Sequence, residues 1–108
     1  METKIINEIV FNGVETQPMY IDKKVIVAIV IPNDPSFNNV TFTIEASTEG
    51  LIDYVPLFDM FGNRLELNIG ANRFIKLDVQ DFTAVTYFKI RSTTDLSGKK
   101  IKIVLYNI

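Results

Sequence analysis

The sequence predicts an all-β protein, an antiparallel β-sandwich of about eight short strands. Apolar residues recur with a period of two in most segments, as in half-buried strands. Turn-forming residues interrupt these segments at short intervals, and no segment keeps a helical period. The 108 residues contain no linker, low-complexity tract or internal repeat, so we expect residues 1–108 to form a single domain. The pattern leaves open whether the sandwich is jelly-roll or immunoglobulin-like, because these two folds differ only in how their strands connect.

The alternation is clearest in residues 40–47, where Val40, Phe42 and Ile44 occupy one phase and polar residues the other. Residues 25–31 are an unbroken apolar run rich in β-branched side chains, which indicates a central strand covered on both faces. The segments that predict these eight or so strands are residues 5–11, 18–22, 24–31, 40–47, 53–58, 64–69, 73–78, 86–92 and 99–107.

Turn signals separate the strands. Pro32 and Pro35 end the central strand because neither can donate a backbone hydrogen bond to a neighbouring strand. Glycine-containing pairs such as Asn12-Gly13 and Ser97-Gly98 mark further turns. Residues 79–84 are predicted to form at most one short helical turn.

The composition excludes several kinds of site. Because the chain has no cysteine and no histidine, it lacks the residues of the usual zinc sites, of thiol nucleophiles and of Ser-His-Asp triads. A net charge of −2 and a pI near 5.0 argue against nucleic-acid binding. The first residues do not resemble a signal peptide, and the longest apolar run is too short to span a bilayer. We therefore expect no enzymatic activity, no cofactor, no metal and no membrane contact, in a protein made in the cytoplasm.

Carboxylates are the remaining source of chemistry, since a pair of them can hydrolyse glycosides. Asp53, Asp59, Asp78 and Asp81 all lie near predicted strand ends. Aspartates in such positions commonly accept hydrogen bonds from the backbone of the next turn, and we expect that role here. A small hydrolase that uses Asp59 and Asp78 is the enzymatic alternative.

The charges are unevenly distributed along the chain. Residues 1–63 contain nine acidic and three basic side chains, whereas residues 64–108 contain four acidic and eight basic ones. The distribution is compatible with ordinary solvated strand faces. It is also compatible with copies of the chain, or a copy and a partner, that meet with opposite charges facing.

Outward aromatic residues and a group of bases are the candidates for partner binding. If the last two strands pair, their basic residues form one positive face; the alternative is that lysines protect a sheet edge. An outward aromatic cluster flanked by polar side chains would instead indicate sugar binding. The candidates are Phe37, Phe61, Tyr87, Lys89, Arg91, Lys99, Lys100, Lys102 and Tyr106.

From Val40 onward, the strands and turns follow one recurring layout. The segments are Thr41–Ser47, Tyr54–Asp59, Gly62-Asn63, Leu65–Leu67, Ala71–Asp78, Phe82, Tyr87–Ser92 and Ile101–Leu105, with the earlier strand Val27–Pro32. This layout resembles small uncharacterised virion proteins encoded among the head and tail genes of tailed bacteriophages. The chain departs from that family at Glu49-Gly50, where relatives have aspartate-glycine, and in the short loop after Ser92.

The resemblance implies a structural virion protein with no catalytic residues. We expect a decoration or auxiliary head protein that docks on the capsid and stabilises it, in multiple copies or as a homo-oligomer. Its partners would be the major capsid protein or other virion proteins. The alternatives are a tail, connector or fibre-base protein, and a carbohydrate-binding adsorption module.

Overall fold

The computed structural model describes residues 4–50 and 52–107. In this part of the chain, short antiparallel strands account for the regular structure, together with two 3₁₀ turns, η1 (Pro35–Phe37) and η2 (Val79–Phe82). The strands are β1 (Lys4–Asn12), β2 (Glu15–Thr16), β3 (Met19–Tyr20), β4 (Lys24–Ile31), β5 (Val40–Ser47), β6 (Val55–Pro56), β7 (Glu66–Ile69), β8 (Arg73–Lys76), β9 (Tyr87–Ser92) and β10 (Lys100–Asn107).

The two strands with the clearest sequence patterns, an alternation in β5 and an apolar run in β4, have the bounds that the sequence predicts. Strand β5 has the predicted bounds, and Val40, Phe42 and Ile44 on it are buried. Strand β4 also has the predicted bounds, and η2 supplies the short helical turn. The predicted strand 53–58 is shorter, since only Val55–Pro56 pairs with β5.

The strands form one strongly curled antiparallel sheet, and its two halves enclose the core. We call the half made of β1, β10, β4 and β8 sheet A, and the half made of β2, β9 and β5, with β3, β6 and β7 at its margins, sheet B. Strand β1 belongs to both: Lys4–Val10 pairs with β10, and Phe11–Asn12 pairs with β2. The all-β antiparallel fold class is therefore confirmed.

The core contains the inward side chains of both halves. Phe11 of β1 lies against Phe42 of β5, with 5.3 Å between their ring centroids. On β10, Ile101, Ile103 and Leu105 are buried, as their alternation predicts.

Phe37 was expected to face outward, and this prediction is wrong: its side chain is fully buried in the core. The reason is η1, which turns the chain after Pro35 and directs Phe37 inward. The carboxylate of Asp34 stabilises the start of this turn by accepting a hydrogen bond of 2.9 Å from the Ser36 N–H.

Candidate interaction surfaces

The positive face predicted for the last two strands does not form, because β9 and β10 are not neighbours. β9 pairs with β2, β3 and β5 in sheet B, whereas β10 lies between β1 and β4 in sheet A. The five basic candidates are consequently divided between two surfaces.

On the outer face of sheet B, the two bases of β9 are neutralised by carboxylates of neighbouring strands. The Lys89 Nζ lies 3.1 Å from the Glu15 Oε2 and 3.8 Å from the Glu45 Oε1. The Arg91 guanidinium donates a hydrogen bond of 3.1 Å to the same Glu15 oxygen. Tyr54 packs against this group, with the Lys89 Nζ 4.9 Å from the centre of its ring. Lys89 and Arg91 are therefore engaged within the chain.

Two of the three basic candidates near the start of β10 are also paired. The Lys99 Nζ lies 3.0 Å from the Asp34 Oδ2, and the Lys100 Nζ lies 3.7 Å from the Glu8 Oε1. The pKa of Asp34 is lowered to about 2, mainly by the Ser36 N–H and then by Lys99. Each ion pair found among the described residues joins an acid from residues 1–63 to a base from residues 64–108. Much of the charge separation along the sequence is thus cancelled inside the fold.

The remaining aromatic candidates differ in their surroundings. Tyr87 is half-buried, with its ring 5.0 Å from that of Tyr20 and packed over Gly50. Tyr106 is half-buried beside an open groove of sheet A, and Phe61 is 81% exposed, as expected. Of the candidates, Lys102, Tyr106 and Phe61 lie at the surfaces described next.

The outer face of sheet A contains an apolar groove. The registers pair Val104 of β10 with Ile6 of β1 and with Ala28 of β4, so these three side chains share that face. Ala28 and Val104 are buried in the floor of the groove, whereas Ile6 and Phe74 remain 54% and 61% exposed on its sides. Large apolar side chains are thus presented around a recess of about 540 Å³, a volume within the usual range for binding sites.

A register shift shapes this groove. Between Val104 and Leu105 the pairing of β10 jumps from Ala28 to Ile26, which leaves Val27 as an extra residue on β4. Such a bulge bends the strand and interrupts its alternation. Val25, Val27 and Ala28 all line the groove as a result, and β4 presents apolar side chains on both faces, as its unbroken apolar run indicates.

Three lysines surround the groove. Lys4, Lys76 and Lys102 belong to β1, β8 and β10, and no acidic side chain is among the groove's lining residues. Within residues 4–50 and 52–107, none of the three forms an ion pair, although Glu8 lies opposite Lys102 across the β1–β10 ladder. We call this surface, lined by Ile6, Val25, Val27, Ala28, Val30, Phe74, Val79, Val104 and Tyr106 with the three lysines, the lysine-rimmed groove.

A second exposed apolar surface lies on the loop between β6 and β7. Met60 and Phe61 are 84% and 81% exposed at its tip, and Phe58 is also exposed. The Asp59 carboxylate holds the loop in shape by accepting hydrogen bonds of 2.9 Å from the Phe61 and Asn63 N–H groups. Both bonds lower the pKa of Asp59, and the bond from the Asn63 N–H has the larger effect. We call residues 57–63 the aromatic loop.

Three carboxylates accompany the aromatic loop. Asp59 of the loop and Asp78 and Asp81 of η2 line a recess of about 400 Å³ that contains no basic side chain. Partial burial is the main cause that raises the pKa of Asp81, and repulsion from Asp78 and Asp59 raises it further. Asp78 accepts a hydrogen bond of 3.0 Å from the Gln80 N–H, so the turn-stabilising role predicted for four aspartates is confirmed for Asp59 and Asp78. Among the described residues, the carboxylates of Asp53 and Asp81 accept no such bond.

Among the described residues, no three His, Cys, Asp or Glu side chains come together as metal ligands. In the same part of the chain, no helix has the length and apolar character needed to cross a membrane.

Sequence reasoning missed several residues of these surfaces. Phe74 lies in the segment Arg73–Lys76, where the short alternation does not reveal which phase faces the core. The one available signal for the aromatic loop is Phe58, Met60 and Phe61 around the turn residues Asp59 and Gly62, because large apolar side chains are uncommon in turns.

Comparison with known proteins identifies the fold. The sequence matches no family model and no curated protein. A search of solved structures finds the crystal structure of the SPBc2 prophage-derived protein YomS, with a TM-score of 0.64. The match covers 99% of this chain and 96% of that one, at 9% sequence identity. The chain therefore has a fold similar to that of YomS along almost its whole length.

Proposed function

We propose that this chain is a non-enzymatic structural protein of a bacteriophage particle, present in multiple copies and held in place by contacts with other virion proteins. The observation that carries the proposal is the lysine-rimmed groove. The resemblance to virion proteins and the fold similarity to a prophage-derived protein support a phage origin.

The groove has the physical properties of a protein-docking surface. Ile6 and Phe74 leave large apolar surface in water, and each Å² buried by a partner is worth about 25 cal/mol. Lys4, Lys76 and Lys102 attract a surface of opposite sign and fix its orientation. In a particle, repetition of a modest contact around a symmetric shell gives firm attachment.

Within this function, we propose decoration of the capsid shell as the specific role. The major capsid protein or another virion protein is the partner at the groove, and the protein, made in the host cytoplasm, is located in the virion. A tail, connector or fibre-base position uses the same kind of contact and differs in where the protein is found.

The test is co-sedimentation of the purified protein with phage particles, with empty shells, tails and host cells as separate fractions. We expect binding to shells in a ratio set by capsid symmetry. The double variant Lys76→Glu/Lys102→Glu reduces occupancy at least about tenfold, because like charges then oppose each other at the contact. Lys23→Glu, an exposed lysine in the β3–β4 turn outside the groove, is the matched control.

Each fraction decides a different part of the proposal. Binding to tails alone moves the protein to the tail or connector. Binding to neither shells nor tails overturns the structural role, as does full occupancy by the double variant.

Carbohydrate binding during adsorption is the second candidate function, and the aromatic loop is the observation that favours it. Exposed Phe58 and Phe61 stand beside polar groups of Asp59, Gln80 and Thr83, a combination that suits the faces and hydroxyls of a sugar ring. Binding to host cells that is lost in Phe61→Ala, with no binding to particles, would place this function first.

A further inference from the structure

We propose that the lysine-rimmed groove of one copy holds the aromatic loop of a second copy. The inference rests on the proposed function, since it names the first occupant of the docking groove. The two surfaces are complementary in shape, polarity and charge.

Shape and polarity match because one surface is recessed and the other projects. The groove is open and lined mostly by apolar side chains. At the tip of the loop, Met60 and Phe61 are the two most exposed large apolar residues described. Insertion of these side chains would remove apolar surface from water on both partners.

The charges around the two surfaces are opposite and similar in number. Lys4, Lys76 and Lys102 surround the groove. Asp59, Asp78 and Asp81 accompany the loop, and among the described residues none of them forms an ion pair. Although Arg64 pairs with Phe58 at the base of the loop, it does not line the acidic recess.

The acidic side would gain from such a partner. Asp81 is partly desolvated beside two further carboxylates, and its raised pKa reflects that burial and repulsion. Lysines brought in by a second copy would relieve the repulsion, as opposite charges do across protein interfaces.

The loop is already held in one conformation. Hydrogen bonds to the Asp59 carboxylate and from the Asp59 N–H to the Asn63 carbonyl (2.8 Å) fix the turn that carries Met60 and Phe61. Because the turn is formed before binding, little conformational entropy is lost on insertion.

Each copy presents both surfaces, on either side of η2. Val79 of η2 lines the groove, whereas Asp78, Gln80 and Asp81 line the acidic recess. A copy whose groove is filled thus still offers its own loop. Such a head-to-tail contact repeats from copy to copy, and it closes into a ring where the rotation permits.

The experiment measures the mass of the purified full chain by analytical ultracentrifugation over a range of concentrations. We expect the wild type to form a species of several copies. Lys102→Glu and Asp81→Lys should each raise the dissociation constant at least about tenfold, because each places like charges face to face. Neither side chain makes a hydrogen bond or ion pair among the described residues, so both variants should fold, which a thermal melt checks.

Mixing the two variants is the decisive step. The carboxylate introduced by Lys102→Glu in one copy then faces the ammonium group introduced by Asp81→Lys in the other. The unaltered Lys102 of the second copy likewise faces the unaltered Asp81 of the first. We expect an assembly of alternating copies to appear only in the mixture. Lys23→Glu alone is the control for the charge change and should assemble as the wild type does, because Lys23 lines neither the groove nor the acidic recess.

The outcomes separate this inference from the proposed function. A wild type that stays monomeric at every concentration, or variants that do not restore each other, overturns the head-to-tail contact. If shells still bind the monomer and Lys76→Glu/Lys102→Glu still reduces occupancy, the docking role stands with a different protein in the groove. A wild type that neither self-assembles nor binds to particles contradicts both proposals.

Discussion

The outer faces of sheet A and sheet B carry similar basic side chains but differ in whether neighbouring carboxylates pair with them. On sheet B, Lys89 and Arg91 are paired with Glu15 and Glu45 from neighbouring strands. On sheet A, Lys102 and its two companion lysines surround an apolar recess without ion pairs among the described residues. In sequence, Lys89-Ile90-Arg91 and Lys100-Ile101-Lys102 follow the same pattern. The difference arises from the neighbouring strands.

A basic residue on a strand thus acquires its role from the cross-strand register. Glu15 lies opposite Arg91, and Glu45 opposite Lys89, so sheet B neutralises its own bases. Lys102 is flanked by Glu8, which pairs with Lys100, on one side and by Val30 on the other. Sheet B therefore pairs its own bases, whereas sheet A leaves Lys102 unpaired among the described residues beside an open apolar recess.

The largest expected effect on stability comes from the packing of Tyr87 over Gly50 on the outer side of sheet B. Gly50 has a φ of +88°, and a Cβ there would lie 2.6 Å from the Tyr87 ring. Gly50→Ala should lower the free energy of unfolding by about 1–3 kcal/mol, as overpacking usually does, and chemical denaturation measures the change.

Gly13→Ala is the matched control, because Gly13 also has a positive φ (+70°) but has no atom within 4 Å of the added Cβ. It isolates the backbone strain from the clash. Equal losses in the two variants would mean that Tyr87 does not pack tightly over Gly50.

The ion pairs of sheet B supply an intermediate effect. Glu15→Gln removes the carboxylate shared by Lys89 and Arg91 and should cost about 0.5–1 kcal/mol. The loss should shrink in about 1 M salt, where charges are screened within about 3 Å. A double-mutant cycle with Lys89→Gln measures the coupling.

Lys102→Gln provides the contrast on sheet A, and its effect on stability should stay within about 0.5 kcal/mol. A loss as large as that of Glu15→Gln would show that Lys102 is also engaged within the chain, and the distinction between the two faces would fail.

The smallest effect on stability concerns the ion pair between Lys99 and Asp34. Because the folded pKa of Asp34 is about 2 and its ordinary value is 3.8, its carboxylate favours the folded state above pH 3.8. That contribution should disappear as the pH falls from 3.8 towards 2. Denaturation of wild type and Asp34→Asn across this range measures it, and parallel curves would contradict the prediction.

The sequence predicts the elements well wherever periodicity alone decides. Strands β4 and β5 have their predicted bounds because a long apolar run and a clean alternation each define one. Phe37 was misplaced because a single aromatic residue in a polar, proline-containing loop carries no periodicity to show its direction.

The candidate surfaces were harder to predict, because they depend on which strands are neighbours. β9 and β10 follow each other in the chain but lie in different halves of the sheet, since β1 and β2 come between them. The groove also depends on the bulge at Val27, which brings residues of both phases of β4 to one side. Both features depend on pairing between strands that are distant in sequence, whereas alternation indicates only the local structure of one strand.

The position of β10 determines when the lysine-rimmed groove can exist. This strand lies between β1 and β4 and contributes Val104 and Lys102 to the groove, yet it is synthesised after every other strand described. A nascent chain on the ribosome therefore has β1 and β4 without the strand that joins them. Copies that are still being translated cannot offer a finished groove until β10 has emerged from the ribosome.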